Sequence, residues 1–296
     1  MPYLLLTLSA LIWSGNFVIS RAMNDVIPPA GFVFWRWLVA VVILAPMALP
    51  HLRREWPILR ANWRLVCICG LFGVTLFNFL IYTAMHTTTA INAALVNSAI
   101  PVFILMFARI FYGQTVSLRQ HLGIALSLTG VATIILQGDP GRIRSLSFNR
   151  GDLLVLLAAV AWALYSVAMK RYPKGLNSFL FLFSMAVCGL VFLIPIYAME
   201  IARGESMTVN TPTILSIGYV GVLASVVAFM AWNNGLRKVG AHIGGQFVHL
   251  MPAFSTILAV IFLGERLHTF HAVGISLIFA GIACATFGNK SAEEAG

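Results

Sequence analysis

Charged side chains are scarce in this chain: only 9% of its 296 residues are Asp, Glu, Lys or Arg. Soluble proteins keep about a quarter of their residues charged, so the scarcity excludes an ordinary soluble domain. Long polar stretches are also missing, the longest being 50–64 and 138–151. The rest is made of apolar runs of roughly 20 residues, the length that an α-helix needs to cross a bilayer. The sequence therefore predicts an all-α membrane protein.

Acidic residues are few, and none lies near the middle of an apolar run. This lack argues against a carboxylate proton relay or a sodium site, and no phosphate-binding loop is present for ATP drive. A membrane-embedded enzyme would need paired carboxylates, a Ser/His arrangement or a metal cluster at one depth. No paired Asp and no HExxH motif occur, and His249 has no acidic partner in its span. A membrane-embedded enzyme is therefore a remote alternative, as is a purely structural subunit. We expect no catalytic residues, no cofactor and no metal site.

Four cysteines, Cys67, Cys69, Cys188 and Cys284, all fall within apolar runs. Cys67 and Cys69 are two residues apart, so they point to different sides of a helix and form a poor metal pair. We interpret all four as small buried side chains.

Windows of about 20 residues predict ten spans. They lie at 3–22, 31–49, 65–85, 90–111, 119–137, 152–170, 177–199, 213–234, 242–263 and 270–288. With both termini cytoplasmic, the inner loops hold 12 Lys and Arg residues and the outer loops six. Because basic residues accumulate in cytoplasmic loops, this orientation is favoured. The net charge of +10 is thus a topology signal, and no nucleic-acid partner is expected.

The second half of the chain repeats the first. A shift of 151 residues aligns Pro101 with Pro252 and four glycines, Gly70, Gly113, Gly123 and Gly130, with Gly221, Gly264, Gly274 and Gly281. Near the start, a shift of 149 aligns Trp13 with Trp162. Because each unit has five spans, an odd number, the two copies must cross the membrane in opposite senses. Such inverted repeats build transporters whose substrate site lies near the midplane.

The repeats give a domain plan of residues 1–137 for the first five spans and 152–288 for the second five. An extracytoplasmic linker at 138–151 joins them, and a cytoplasmic tail follows at 289–296.

Three motifs resemble a known family: "MPAFSTILAVIFLGERLHTFHAVGISLIFAGI" at 251–282, "LIWSGNFVISR" at 11–21 and "YGQ" at 112–114. The chain resembles the EamA family of the drug/metabolite transporter superfamily, and within it the YddG-type bacterial amino acid exporters. The resemblance implies a bacterial inner-membrane protein with ten helices around a central cavity. It also implies export of aromatic and other neutral amino acids or related metabolites. A multidrug or other metabolite exporter of the same fold is the alternative, and a monomer in the lipid bilayer is expected.

Polar and aromatic residues within the spans are the candidates for lining that cavity, because polar groups in a span tend to face the bundle interior or water. The predicted substrate-binding residues are Trp13, Asn16, Asn78, Tyr82, Asn97, Trp162, Tyr165, Trp232, Asn233, Gln246 and His249. Each single Asn or Gln has a second interpretation as a helix–helix hydrogen bond. His249, in "GGQFVHLMPAF", has the same alternative as a strut between helices.

Two prolines, Pro101 and Pro252, are predicted to kink their spans near the midplane and to serve as gating points, since proline frees the carbonyl four residues earlier. Facilitated exchange and proton coupling through His249 both stay open as transport modes. Arg36, about five residues inside the predicted start of span 2, is expected to extend its guanidinium to the membrane surface, with a role in binding substrate as the alternative.

Overall fold

This computed structural model describes residues 1–23, 26–88, 90–115, 117–145, 149–263 and 266–287, which form helices joined by turns and short irregular segments. No strand occurs in those ranges. Nine of the helical segments there are long and apolar enough to cross a membrane. The prediction of an all-α membrane protein is confirmed. The predicted tail at 289–296 lies outside the described residues.

The first half contains seven α-helices and one π-helical segment. The α-helices are α1 Pro2–Ala22, α2 Pro29–Ala61, α3 Trp63–Cys69, α4 Phe77–Ala84, α5 Ala90–Asn97, α6 Ile100–Tyr112 and α7 Leu118–Ile135. The first π segment, Gly70–Leu76, joins α3 to α4 without a break. A 3₁₀ turn at Pro140–Ser145 follows α7.

The second half also contains seven α-helices and one π-helical segment. Its α-helices are α8 Arg150–Ala168, α9 Ser178–Ala202, α10 Thr211–Tyr219, α11 Ala228–Val239, α12 Ala241–Gly244, α13 Leu250–Leu263 and α14 Thr269–Phe287. The second π segment, Val220–Val227, joins α10 to α11. A 3₁₀ segment, Gly245–His249, separates α12 from α13.

Helix α2 is much longer than predicted. Its 33 residues continue through Pro46, Pro50 and Pro57 to Ala61, whereas the apolar run ended at residue 49. At 1.5 Å per residue the helix is about 50 Å long, against a hydrocarbon core of about 30 Å. The extension is anchored by buried Glu55, which accepts the Asn177 backbone N–H at 2.6 Å. The α-helix therefore continues past residue 49, the predicted end of span 2, because contacts such as this one hold it beyond the apolar run.

Both π segments occupy close contacts between helices. A methyl group on Gly70 would lie 2.6 Å from the Met185 carbonyl oxygen, and one on Gly221 would lie 3.1 Å from that of Arg36. In each π segment a hydroxyl side chain bonds the carbonyl five residues earlier: Thr75 bonds Gly70 at 3.4 Å and Ser225 bonds Val220 at 2.9 Å. The wide turns thus allow side chains to reach backbone carbonyls.

Helices α7 and α14 pack along facing glycines. A methyl group on Gly123 would lie 2.6 Å from the Gly281 carbonyl oxygen, and one on Gly130 would lie 2.6 Å from that of Gly274. Side chains larger than hydrogen would push the backbones apart, so these glycines set the distance between the two helices.

Both prolines that were predicted to kink a span stand close to helix starts. Pro101 is the second residue of α6, and Pro252 is the third residue of α13. The preceding chain leaves the α-helix at 98–99 and at the 3₁₀ segment. Because proline lacks an N–H and suits the first helical turn, the chain here ends one helix and begins another, which differs from a kink within one helix.

Candidate functional site

A small internal cavity lies where helices from both halves meet. Its volume is about 20 Å³, enough for about one water molecule. Five residues predicted to bind substrate line it: Trp13, Asn16, Asn78, Asn97 and Trp162. The other lining residues are Arg36, Phe77, Ile100, Phe229, Val248 and Met251. In this conformation the cavity is lined by polar and aromatic groups and is too small for an amino acid.

Trp162 lies at the centre of an aromatic cluster beside the cavity. Its ring contacts those of Phe77, Trp13, Tyr165, Phe229 and Trp232, with centroid separations of 4.6, 5.0, 5.1, 5.6 and 5.7 Å. The side chain is 2% exposed, so it is packed rather than water-lined. Among the described residues, its indole nitrogen has no hydrogen-bond partner.

Arg36 is buried beside this cavity, with only 1% of its surface exposed. Its Nη1 donates to Asn78 Oδ1 at 2.9 Å and to the Tyr82 hydroxyl at 2.5 Å. Its Nε donates to the Ser225 hydroxyl at 2.9 Å. The expectation that this side chain reaches the membrane surface is wrong, because three acceptors on other helices hold it inside the bundle.

Each acceptor of Arg36 is oriented by a further hydrogen bond. The Asn78 amide donates to the carbonyls of Gly73 and Val74 in the first π segment, which fixes its oxygen toward Arg36. The Ser225 hydroxyl donates within the second π segment, and the Tyr82 hydroxyl donates to Asn16 Oδ1 at 3.1 Å. All these acceptors are neutral, so they position the guanidinium without cancelling its charge.

The remaining predicted residues are buried, but they do not line the cavity. Tyr82 belongs to the Arg36 network, and Tyr165 donates a hydrogen bond to Asn233. Trp232 packs on Trp13 at a centroid separation of 5.4 Å. Both side-chain polar atoms of Gln246 lack a partner among the described residues. These residues form the layer around the cavity in this conformation.

His249 connects the two helix breaks, at residues 98–99 and at the 3₁₀ segment Gly245–His249. Its side chain is fully buried, and Nε2 lies 2.9 Å from the Ser98 carbonyl oxygen. Because a carbonyl only accepts, Nε2 must carry the hydrogen, which leaves Nδ1 as an acceptor. No described residue bonds that Nδ1. His249 directly precedes α13, and Ser98 lies in the break that precedes α6. The hydrogen bond therefore acts as a strut between these two helix breaks.

Two larger clefts open near opposite ends of α9. One, of about 310 Å³, is lined by Lys170, Lys174 and Arg237 with Tyr112 and Tyr172. The other, of about 350 Å³, is lined by Tyr197, Glu200 and Glu205, among others. A 25-residue helix is about 37 Å long, so the basic and acidic clefts are separated by roughly the thickness of a bilayer.

Comparison with known proteins identifies the family. The sequence profile described as the EamA-like transporter family matches residues 1–136 and 149–287, which is nearly the whole chain. This chain belongs to the EamA-like transporter family. It is therefore a multi-pass membrane transporter, and the resemblance noted from its motifs is confirmed at the level of the family.

Several relatives of this EamA-like transporter match over nearly their whole length. A Bacillus subtilis protein named "Uncharacterized transporter YyaM" is 25% identical, with 96% of this chain and 93% of that protein covered. An uncharacterized transporter from Archaeoglobus fulgidus is 28% identical, with 96% of each chain covered. A Streptantibioticus cattleyicolor protein named "Probable terminal-alkyne amino-acid exporter" is 27% identical, with 94% of this chain and 90% of that protein covered.

A solved crystal structure has the same fold as this EamA-like transporter. It superposes with a TM-score of 0.77 at 21% identity, covering 97% of this chain and 96% of the other. The relatives assign no YddG-type specificity to the chain, because most of them are named only as uncharacterized transporters.

Proposed function

We propose that this EamA-like transporter exports amino acids and related small metabolites across a bacterial inner membrane by alternating access. The observation that carries the proposal is contact between residues at equivalent positions of the two halves. Trp13 and Trp162, 149 residues apart, contact each other with centroids 5.0 Å apart. Ser98 and His249, 151 residues apart, are joined by a hydrogen bond. Equivalent residues touch only on a symmetry axis, which supports two inverted repeats with the cavity at their interface.

The glycine contacts of α7 and α14 support the same axis. A shift of 151 residues converts Gly123 into Gly274 and Gly130 into Gly281. It therefore exchanges the close pair Gly123–Gly281 with the close pair Gly130–Gly274. The arrangement favours ten spans in two units, 1–137 and 152–288 joined by 138–151, with α12, the 3₁₀ segment and α13 as the ninth span.

Alternating access is supported by a small site between two larger clefts. The cavity of about 20 Å³ must expand toward one cleft at a time, and rocking of two inverted repeats does this. The helix breaks beside Pro101 and Pro252 lie next to the cavity, where Ile100, Val248 and Met251 line it. We assign the gating movement to these two breaks.

The cavity's chemistry suits an amino acid. Asn97 Oδ1 is a buried acceptor without a partner among the described residues, which matches an ammonium donor. The faces of Trp13 and Trp162 offer cation–π and stacking surfaces. The name of the Streptantibioticus cattleyicolor relative supports this substrate class. A basic cleft on the cytoplasmic side would also concentrate carboxylates there, which favours export.

The proposed orientation places both termini in the cytoplasm and makes a labelling prediction. In a variant whose four native cysteines are replaced by serine, Arg54→Cys should be shielded from a membrane-impermeant thiol reagent in intact cells, and Arg142→Cys should react. Both positions are exposed, so access to the reagent decides the result. Permeabilised cells, in which both should react, are the control. The reverse pattern would overturn the orientation.

Uptake into proteoliposomes tests the function. Proteoliposomes that contain the purified protein and are preloaded with one unlabelled amino acid should exchange it for radiolabelled neutral and aromatic amino acids with saturable kinetics. Protein-free liposomes loaded in the same way should not. A panel of lipophilic cations run on the same vesicles tests the multidrug alternative. Flux of those cations without flux of any amino acid would replace the proposal with that alternative.

A further inference from the structure

We propose that Arg36 is the carboxylate anchor of the transport site, so that a free carboxylate is what the site requires of a substrate. The inference rests on the proposed function in one respect, since it takes the cavity between the halves as the site. It goes further in naming the group that is recognised. It also predicts that the site distinguishes a substrate with a free carboxylate from one that has the same ring and amine but no carboxylate.

The charge of Arg36 is not balanced by any described residue. The ion pairs in which both partners are described join Glu55 to His51 and to Arg54, while Arg36 bonds a phenol, an amide and an alcohol. A guanidinium keeps its proton in proteins. Burying a charge without a counter-charge is costly, and ionisable groups within spans face a bundle interior and mark substrate pathways. An anionic group of the substrate is the missing counter-charge.

The guanidinium also has donors left over. It carries five N–H groups, of which Nη1 uses two and Nε uses one. Nη2 makes no hydrogen bond to a described residue, and Arg36 lines the cavity. A carboxylate oxygen accepts a strong, charge-assisted hydrogen bond from such a nitrogen. The three neutral acceptors therefore hold the group in place and leave one nitrogen for a ligand.

The charge occurs in one half only. Gly70 approaches the backbone of Met185 as Gly221 approaches that of Arg36, and these pairs are related by the repeat, with Met185 149 residues after Arg36. Met185 is fully buried, so the equivalent position works as an apolar packing residue. The equivalent position in the second half thus packs without a charged side chain. We therefore assign the charge of Arg36 to ligand binding.

The experiment compares three ligands that differ at one group. L-phenylalanine, L-phenylalaninamide and 3-phenylpropionate share the ring, but the amide lacks the carboxylate and the propionate lacks the amine. Each is tested for raising the melting temperature of purified protein and for competing with labelled amino acid uptake. In the wild type, both carboxylates should act at concentrations at least tenfold lower than the amide. Arg36→Met, which installs the residue of the other repeat, should remove that difference, and Arg36→Lys should restore part of it.

A matched control is Arg203→Met, which removes an exposed positive charge at the end of α9 and should leave the difference intact. Equal action of the amide and the two carboxylates on wild-type protein would overturn the proposal even if Arg36→Met fails to fold. So would an unaltered preference in folded Arg36→Met. Stabilisation by carboxylates that depends on Arg36, without flux of any amino acid, would sustain the anchor and refute the proposed function. Amino acid flux without a preference for carboxylates would refute the anchor and sustain the proposed function.

Discussion

Trp162→Ala is expected to lower the free energy of unfolding by about 3–5 kcal/mol, the usual cost of truncating a fully packed tryptophan. The reason is that Trp162 touches five aromatic rings from four helices and lines the cavity. Exchange of aromatic amino acids per folded molecule should also fall at least tenfold, because the ring lines the cavity in which substrate is proposed to bind. Melting temperature and exchange rate, measured on the same preparations, report the two effects separately.

Two variants calibrate this result. Trp162→Phe keeps an aromatic face and should recover most of the stability. Trp56→Ala removes a tryptophan that is 52% exposed on α2 and should change neither quantity much. Unaltered exchange by folded Trp162→Ala would show that substrate does not meet this cluster and would move the site elsewhere.

Gly130→Ala is expected to have the second large effect, on stability alone. The added methyl group would lie 2.6 Å from the Gly274 carbonyl oxygen and 2.8 Å from the Ile278 backbone nitrogen. Backbone cannot move aside as a flexible side chain does, so α7 and α14 must separate. Overpacking of this kind costs about 1–3 kcal/mol. No residue of α7 or α14 lines the cavity, so exchange per folded molecule should persist.

Gly218→Ala is the matched control, because a methyl group there meets nothing within 4 Å. In a helix that change should be neutral or stabilise by up to about 1 kcal/mol. Equal melting temperatures for the two variants would contradict the close approach of α7 and α14.

Much of the helical fold was predictable, because apolar length and basic loops are properties of single segments. Trp13 and Trp162, matched by the repeat shift, line the cavity together with Asn16, Asn78 and Asn97. The π segments were not predictable, since nothing in an apolar run distinguishes a π turn from an α turn. The end of α2 was missed because it depends on a contact from Glu55 to residue 177.

The inward direction of the Arg36 side chain could not be predicted for a related reason. The sequence shows only the distance from Arg36 to the end of an apolar run, and that distance suits a side chain reaching outward. Its true direction is set by acceptors at 78, 82 and 225, which are distant in the sequence. The mismatch with Met185 across the repeat was the signal that could have identified it. Tyr165, Asn233, Gln246 and His249 show the same limit, because the facing of a helix depends on its neighbours.

The uncompensated Arg36 also makes the proposed cycle sensitive to membrane voltage. When the site opens inward, cytoplasmic water reaches Arg36, and the membrane potential falls across the closed outer side of the protein. When the site opens outward, external water reaches Arg36, and the potential falls across the closed inner side. A negative interior therefore favours the inward-open empty carrier by up to about 2.3 kcal/mol per 100 mV, roughly 50-fold. A bound carboxylate without an amine, such as 3-phenylpropionate, cancels that charge and frees the loaded carrier from the bias, whereas a zwitterionic amino acid leaves the net charge of the site unchanged. The resting potential would thus reset the empty carrier, and an imposed potassium diffusion potential that left the return rate unchanged would refute this coupling.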